Sequence, residues 1–300
     1  MHIAIRDCMV TEKEFRSPIE GMRHLGVDTV EIQLQRDFSV SAMTSHERVE
    51  LQSDADASAY AQTLRDNGIR PCAFLTACDF SAGDPEENVA WIARSIELAH
   101  LLGMPAVRID SAMRREQELS FEERVRLFAD GLRGAVERTQ GLPVALGIEN
   151  HGFQGNNLAF QLNVYMDANP PGASPAEGRV GATMDTGNFY WRGYPLTEVY
   201  GILRILAPYA KHTHLKNIRY PEKVREQSRE GGWKYGEYVS PLAEGDIDHA
   251  RVVRILAKAG YDGALCLEDE SLSKCAGPEE RIAVLEADIR HMRECIAAVE

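Results

Sequence analysis

The sequence predicts an α/β fold, a single-domain (β/α)8 TIM barrel, and three observations carry that expectation. Strand-like runs alternate with helical patterns eight times along the chain. The length, 300 residues, suits one α/β barrel better than two average domains. No glycine fingerprint follows the first strand, as it would in a doubly wound dinucleotide-binding sheet, the competing architecture.

The strand runs are 2–6, 28–34, 70–76, 105–110, 143–149, 180–185, 210–216 and 263–268. Helices fill the gaps. Over 85–102, Asp84 serves as cap, Pro85 suits the first helical position, and Val89, Ile92, Ala93, Ile96 and Ala99 form an apolar stripe. Over 121–138, Ser120 and Glu123 make a capping box, and Phe121, Val125, Phe128, Leu132 and Val136 share a face. Over 278–297, Pro278 opens a helix that turns Ile282, Leu285, Ile289, Met292 and Ile296 inward. Fainter helical patterns cover 11–24, 56–67, 157–167, 195–206 and 248–259.

Two stretches break the rhythm. Residues 169–179, rich in Pro, Gly and Ala, precede a strand and read as a loop at the bottom of the barrel. Residues 217–247 follow the seventh strand at the top and contain EGGWKYGEY; this long loop is either a lid or a plain solvated connection. No repeat, low-complexity tract or linker divides the chain, so the expectation is one barrel over 1–300.

The charge narrows the function. Asp plus Glu number 46 against 33 Lys plus Arg, a net charge of −13, which argues against a nucleic-acid or anionic-membrane surface. Six cysteines without a CxxC read as reduced thiols of a cytoplasmic protein. No run is long and apolar enough for a bilayer span, and the first residues do not read as a signal peptide.

Side chains alternate along a strand, and here the two sets differ in kind. Val144, Leu146 and Ile148 oppose Ala145, Gly147 and Glu149. Ala182 and Met184 oppose Gly181, Thr183 and Asp185; Thr213 and Leu215 oppose His212, His214 and Lys216; Leu265 and Leu267 oppose Ala264, Cys266 and Glu268. The apolar set suits the helices, and the other set faces the barrel axis. Glu31, Gln33, Arg6, Arg108 and Asp110 follow the same pattern in earlier strands. Barrel active sites lie at the C-terminal strand ends, so Glu149, Asp185, His214 and Glu268 are expected to converge. Unpaired buried charge is costly. Two arrangements offset it: a divalent cation such as Mn²⁺, Mg²⁺, Co²⁺ or Zn²⁺, or a ring of salt bridges with Arg6, Arg108 and Lys216.

At these residues the chain resembles the xylose isomerase-like barrel superfamily, the sugar phosphate isomerase/epimerase group. The likeness rests on IENHG at 148–152, MDTGN at 184–188, HTHLKN at 212–217, EGDID at 244–248 and GYDGALCLE at 260–268, with GMRHLGVDTVEI at 21–32. The resemblance implies one divalent metal, Mn²⁺ foremost, on Glu149, Asp185, His214 and Glu268, with Glu270 the rival for Glu268. It implies an isomerase or epimerase acting on a ketose or keto-sugar through a metal-stabilised enediolate, with Glu149 and Glu268 as acid and base. The alternative is a lyase or dehydratase of a keto-sugar or inosose at the same site. Relatives of this kind are often dimers or tetramers.

Further roles are expected nearby. Lys216 is placed to donate to a developing oxyanion or to pair with a carboxylate. His151, Asn188, Arg108, Glu31, His212 and Trp233 are the substrate-binding candidates, with Tyr190 and Trp191 as possible walls. For Arg108 support of the carboxylates is the preferred role, and for His212 a place in the core. The chain departs from the group at three positions. Tyr220 replaces an arginine of the ketose 3-epimerases, Gly155 replaces a glutamate of theirs, and Asn217 replaces the aspartate of the inosose dehydratases' HLKD. An apurinic endonuclease and a non-catalytic carbohydrate-binding barrel are the remaining readings. The first lacks the histidines for three zinc ions, and the intact Glu149 and Glu268 oppose the second.

Overall fold

In the computed structural model, which describes residues 1–299, eight parallel strands close on themselves. They are β1 (His2–Arg6), β2 (Thr29–Gln33), β3 (Arg70–Thr76), β4 (Ala106–Ile109), β5 (Ala145–Glu149), β6 (Val180–Asp185), β7 (Ala210–Leu215) and β8 (Ala264–Leu267). Each strand pairs with its neighbours in sequence, and β8 closes on β1 with His2 opposite Ala264 and Ile5 opposite Leu267. The outer ring is α1 (Pro18–Leu25), α2 (Asp54–Asp66), α3 (Pro85–Leu101), α4 (Phe121–Arg138), α5 (Leu158–Ala168), α6 (Leu196–Leu206), α7 (His249–Lys258) and α8 (Pro278–Ala297). All eight expected strands and all eight expected helices are present.

Capping explains the boundaries. At α4, the Ser120 hydroxyl accepts from the Glu123 backbone N–H at 3.2 Å, and the Glu123 carboxylate accepts from Ser120 N–H at 2.8 Å. A second capping box joins Ser53 and Asp56 at α2. The pattern over 11–24 overshoots α1, which starts only at Pro18: Ser17 caps the Glu20 N–H there and Pro18 takes the first helical position. Thr11 and Glu14 instead form a separate hydrogen-bonded turn.

The outward strand residues Leu146, Ile148, Met184, Leu215, Leu265 and Leu267 are fully buried under the helices. Each such side chain contributes roughly 1.5–3 kcal/mol through burial. Inside the barrel the lower layer is small and apolar, built from Ala4, Cys72, Ala264 and Cys266. The upper layer is charged.

Residues 169–179 lie at the bottom, where the Lys211 ammonium donates to the Pro175 carbonyl at 3.0 Å. The segment 217–247 is ordered. Asn217–Ile218 pairs antiparallel with Val239–Ser240. The Asn217 amide donates to the Leu242 and Ile247 carbonyls at 2.8 and 3.0 Å, and its oxygen accepts from the Ile247 N–H at 3.0 Å. The Arg229 guanidinium lies 4.6 Å from the Tyr190 ring and 4.4 Å from the Tyr220 ring. The base of this segment is packed on the barrel, while residues 221–238 are half-buried or exposed. Among the described residues, no helix is long and apolar enough to cross a membrane.

Candidate metal centre at the barrel mouth

Four consecutive strands deliver the four expected ligands. Glu149 ends β5, Asp185 ends β6, His214 lies one residue before the end of β7, and Glu268 directly follows β8. Register brings them close: Asp185 stands opposite His214, Glu149 opposite Thr183, two residues before Asp185, and Cys266, two residues before Glu268, opposite His214. One donor atom from each of Glu149, Asp185, His214 and Glu268 lies within 4.8 Å of the others, and all four residues are buried. His214 Nδ1 is 3.2 Å from Glu149 Oε2 and 3.3 Å from Glu268 Oε2.

Each ligand is held from behind. The Arg108 guanidinium pairs with Glu149 and donates to the Thr76 carbonyl at 2.9 Å. The Asn188 amide donates to Glu149 Oε1 at 3.0 Å. Asp185 Oδ1 accepts from the N–H groups of Gly187 and Asn188 at 2.8 and 2.6 Å. Asn150 braces the Asp185 backbone from β5's end, accepting from its N–H at 2.8 Å and donating to its carbonyl at 3.1 Å. Arg6 pairs with Glu268. The Lys216 ammonium sits 3.2 Å from Glu268, 3.5 Å from Asp185 and 2.7 Å from Glu270. Gly187 makes room for it, since a Cβ there would fall 2.3 Å from Lys216 Cγ.

The salt bridges anticipated from sequence are therefore present, yet they leave the centre incomplete. Five carboxylates, Glu31, Glu149, Asp185, Glu268 and Glu270, face three permanent cations, Arg6, Arg108 and Lys216. Asp185 Oδ2, His214 Nδ1 and Glu268 Oε2 are buried without a hydrogen-bond partner. Three buried ligand atoms without a hydrogen-bond partner, in a cluster whose donors lie within 4.8 Å of one another, fit a divalent ion. Burial pushes the Asp185 carboxyl up to about 7, against the pull of Lys216. Burial acts in the same direction on Glu149 and Glu268, but it is outweighed: Arg108 and His214 hold Glu149 low, and Lys216, His214 and Arg6 hold Glu268 well below the carboxylate range.

The remaining expected residues fall into three positions. Glu31 lies under the ligands, where its Oε1 accepts from His214 Nε2 at 2.8 Å and His212 Nε2 at 2.9 Å. That bond fixes the His214 ring with Nδ1 toward the ligand cluster. Glu31 meets His214 at Nε2, the ring nitrogen opposite Nδ1, which puts Glu31 and its partner His212 behind the site rather than in its opening. His151 stands at the rim, its ring half exposed and hydrogen-bonded to Asp110 at 3.0 Å. That bond raises its pKa despite partial burial. Trp233 stacks on Tyr238 at 5.6 Å and tilts against Tyr220 at 5.8 Å, packing the cap itself. Tyr190 likewise donates to Asp246 at 2.8 Å inside the cap base.

Sequence reasoning missed Tyr235. Its hydroxyl donates to Glu270 at 2.7 Å, linking the cap through Glu270 to Lys216. Only the aromatic-glycine run KYGEY hinted at it. The departures have local causes. A Cβ at Gly155 would fall 1.9 Å from Ser111 Oγ, so no glutamate fits there. Asn217 is consumed in anchoring the cap.

Fold and site together define a (β/α)8 barrel with a candidate divalent-metal centre at the C-terminal strand ends. The sequence profile of the family described as xylose isomerase-like TIM barrel matches residues 19–295, and the chain belongs to that family. It is 23% identical over 279 residues to an inosose dehydratase of Klebsiella pneumoniae (strain 342), covering 87% of this chain and 89% of that one. Among solved structures it is similar to an L-ribulose 3-epimerase (TM-score 0.68, 18% identity, 100% of this chain and 96% of the other). It is also similar to the IOLI protein with a bound zinc atom (TM-score 0.67, 18% identity, 100% and 98%). At that identity the structural likeness speaks for the fold alone.

Proposed function

We propose that this protein is a divalent-metal-dependent isomerase or epimerase of a small carbohydrate, a ketose or keto-sugar derivative. The observation that carries the reading is the pair Glu149 and Glu268, whose Oε2 atoms flank His214 Nδ1 at 3.2 and 3.3 Å with a guanidinium behind each. Two carboxylates held ionised around one point suit removal of a proton beside a carbonyl and its return. A divalent ion on Glu149, Asp185, His214 and Glu268 would supply Lewis-acid polarisation of that carbonyl. The oxygen-rich donor set favours Mn²⁺.

The chain's own groups do the rest. One glutamate takes the C–H proton; for isomerisation it returns that proton to the neighbouring carbon, and for inversion the other glutamate, after gaining a proton from solvent, delivers it to the opposite face. Lys216, its ammonium held by three carboxylates, donates to the oxygen that gains charge. Arg108 and Asn188 keep Glu149 aligned. His151, at the rim, meets a substrate hydroxyl.

A dehydratase is the second reading, favoured by the inosose dehydratase that matches 87% of the chain. His151 supports it as well, because Asp110 stabilises its protonated form at the rim, where a departing hydroxyl needs a proton. The test is incubation of the Mn²⁺-loaded protein with ketoses and inososes in D₂O. Deuterium in recovered substrate and in an isomeric product supports the first reading. A deoxy-keto or unsaturated product supports the second. No exchange and no product with any polyhydroxy ketone contradicts both.

A further inference from the structure

Directly beneath the candidate centre lies a second donor set of different chemistry. Glu31, His212, His214 and Cys266 each offer a donor atom within 4.8 Å of the others, and all four are buried. The upper set is oxygen-rich and has no sulfur; the lower one combines carboxylate, imidazole and thiol, which suits a softer ion. Glu31 Oε2 is buried without a hydrogen-bond partner, 3.5 Å from Arg6 Nε. The apolar neighbours of Cys266 are small, Ala4, Ala264 and Cys72. A cavity of about 820 Å³ opens at the N-terminal mouth, and His212 of this set is among its lining residues with Cys72 and Ala264.

We propose that Glu31, His212 and Cys266 hold a second divalent ion, of the zinc class, below the catalytic one. His214 stays with the upper set through Nδ1 and keeps its Nε2–H on Glu31. Glu31 therefore serves both sites, as a ligand below and as the brace of a ligand above. On binding, the Cys266 thiol releases its proton to solvent and coordinates as thiolate, while His212 binds as neutral imidazole. The new thiolate offsets one charge of the ion and Glu31, already ionised, faces the other, so the barrel interior gains one net positive charge beside the carboxylates above.

The test is titration of metal-free protein with Co²⁺, followed by absorption. Only the lower set contains sulfur, so it alone can produce a sulfur-to-cobalt charge-transfer band in the near ultraviolet. The expected result is two equivalents bound, one of them bringing that band. Cys266→Ser, checked for native circular dichroism, removes the band and leaves one equivalent. Asp185→Asn, which disables the upper set, keeps the band. Saturation of the native protein at one equivalent without the band overturns the proposal, as does a band that survives Cys266→Ser. Because Asp185→Asn and Cys266→Ser report on different sites, failure of the lower site is distinguishable from failure of the upper one.

Discussion

The two mouths of the barrel are opposites. At the N-terminal mouth five of the eight strands begin with small or apolar residues, Ala106, Ala145, Val180, Ala210 and Ala264, and the cavity of about 820 Å³ is lined by Pro71, Ala145, Ala176, Pro208 and Ala210 beside surface cations such as Arg70. Arg70 pairs there with Asp28 at 2.8 Å, with both side chains more than half exposed. At the C-terminal mouth a cleft of only about 360 Å³ is lined by Arg6, Glu268 and Glu270, and behind Glu268 the side chains of Glu149, Asp185, His214 and Lys216 are buried. Volume does not mark the site of chemistry. Charge held out of water does, because it persists only where other charges or an ion offset it.

The comparison breaks most readily at the glutamates. Glu149→Gln or Glu268→Gln should lower turnover of the true substrate by roughly 10²–10⁴-fold, as for loss of a general acid or base. Turnover unchanged in both would remove these residues from the mechanism. Next in size is Glu31→Gln, which weakens the hold on the His214 ring without removing a ligand of the upper set. Metal affinity should fall by roughly 10–100-fold, measured by competition with a chromophoric chelator.

A pH effect follows. Burial pushes the Asp185 carboxyl up to about 7 in the metal-free protein, so below that pH a proton competes with the ion. Affinity should drop by about tenfold per pH unit there. Calorimetry in two buffers of different ionisation heat should show proton release, and identical heats would contradict the linkage. The smallest effect is expected at the other mouth. Arg70→Ala removes an exposed ion pair, worth about 0–1 kcal/mol. Thermal denaturation should barely move and turnover should hold.

The same contrast explains what the sequence made legible. Strand parity placed Glu149, Asp185, His214 and Glu268 on one axis, because an inward residue at a barrel strand end has one direction to face. The eight-fold alternation and the caps at Ser120 and Pro278 were equally plain, being local. What stayed hidden was depth. Glu31 and Glu149 share inward parity, but only the strand register shows that Glu31 lies a layer lower, under the His214 ring. Cys266 had inward parity too, without any neighbour in sequence to suggest a ligand. Tyr235 was illegible for another reason: it comes from an insertion, where no period relates a residue to the axis. Support of the carboxylates by Arg108 was also legible from parity, and packing adds which one it holds, Glu149, 41 residues away.

The central claim is that Glu149, Asp185, His214 and Glu268 hold one divalent ion. A crystal grown with Mn²⁺ and measured at the manganese absorption edge tests it most directly. The account predicts an anomalous peak about 2.0–2.3 Å from donor atoms of all four side chains. A fully occupied peak elsewhere, with Asp185 Oδ2 and His214 Nδ1 still unpartnered, would contradict it.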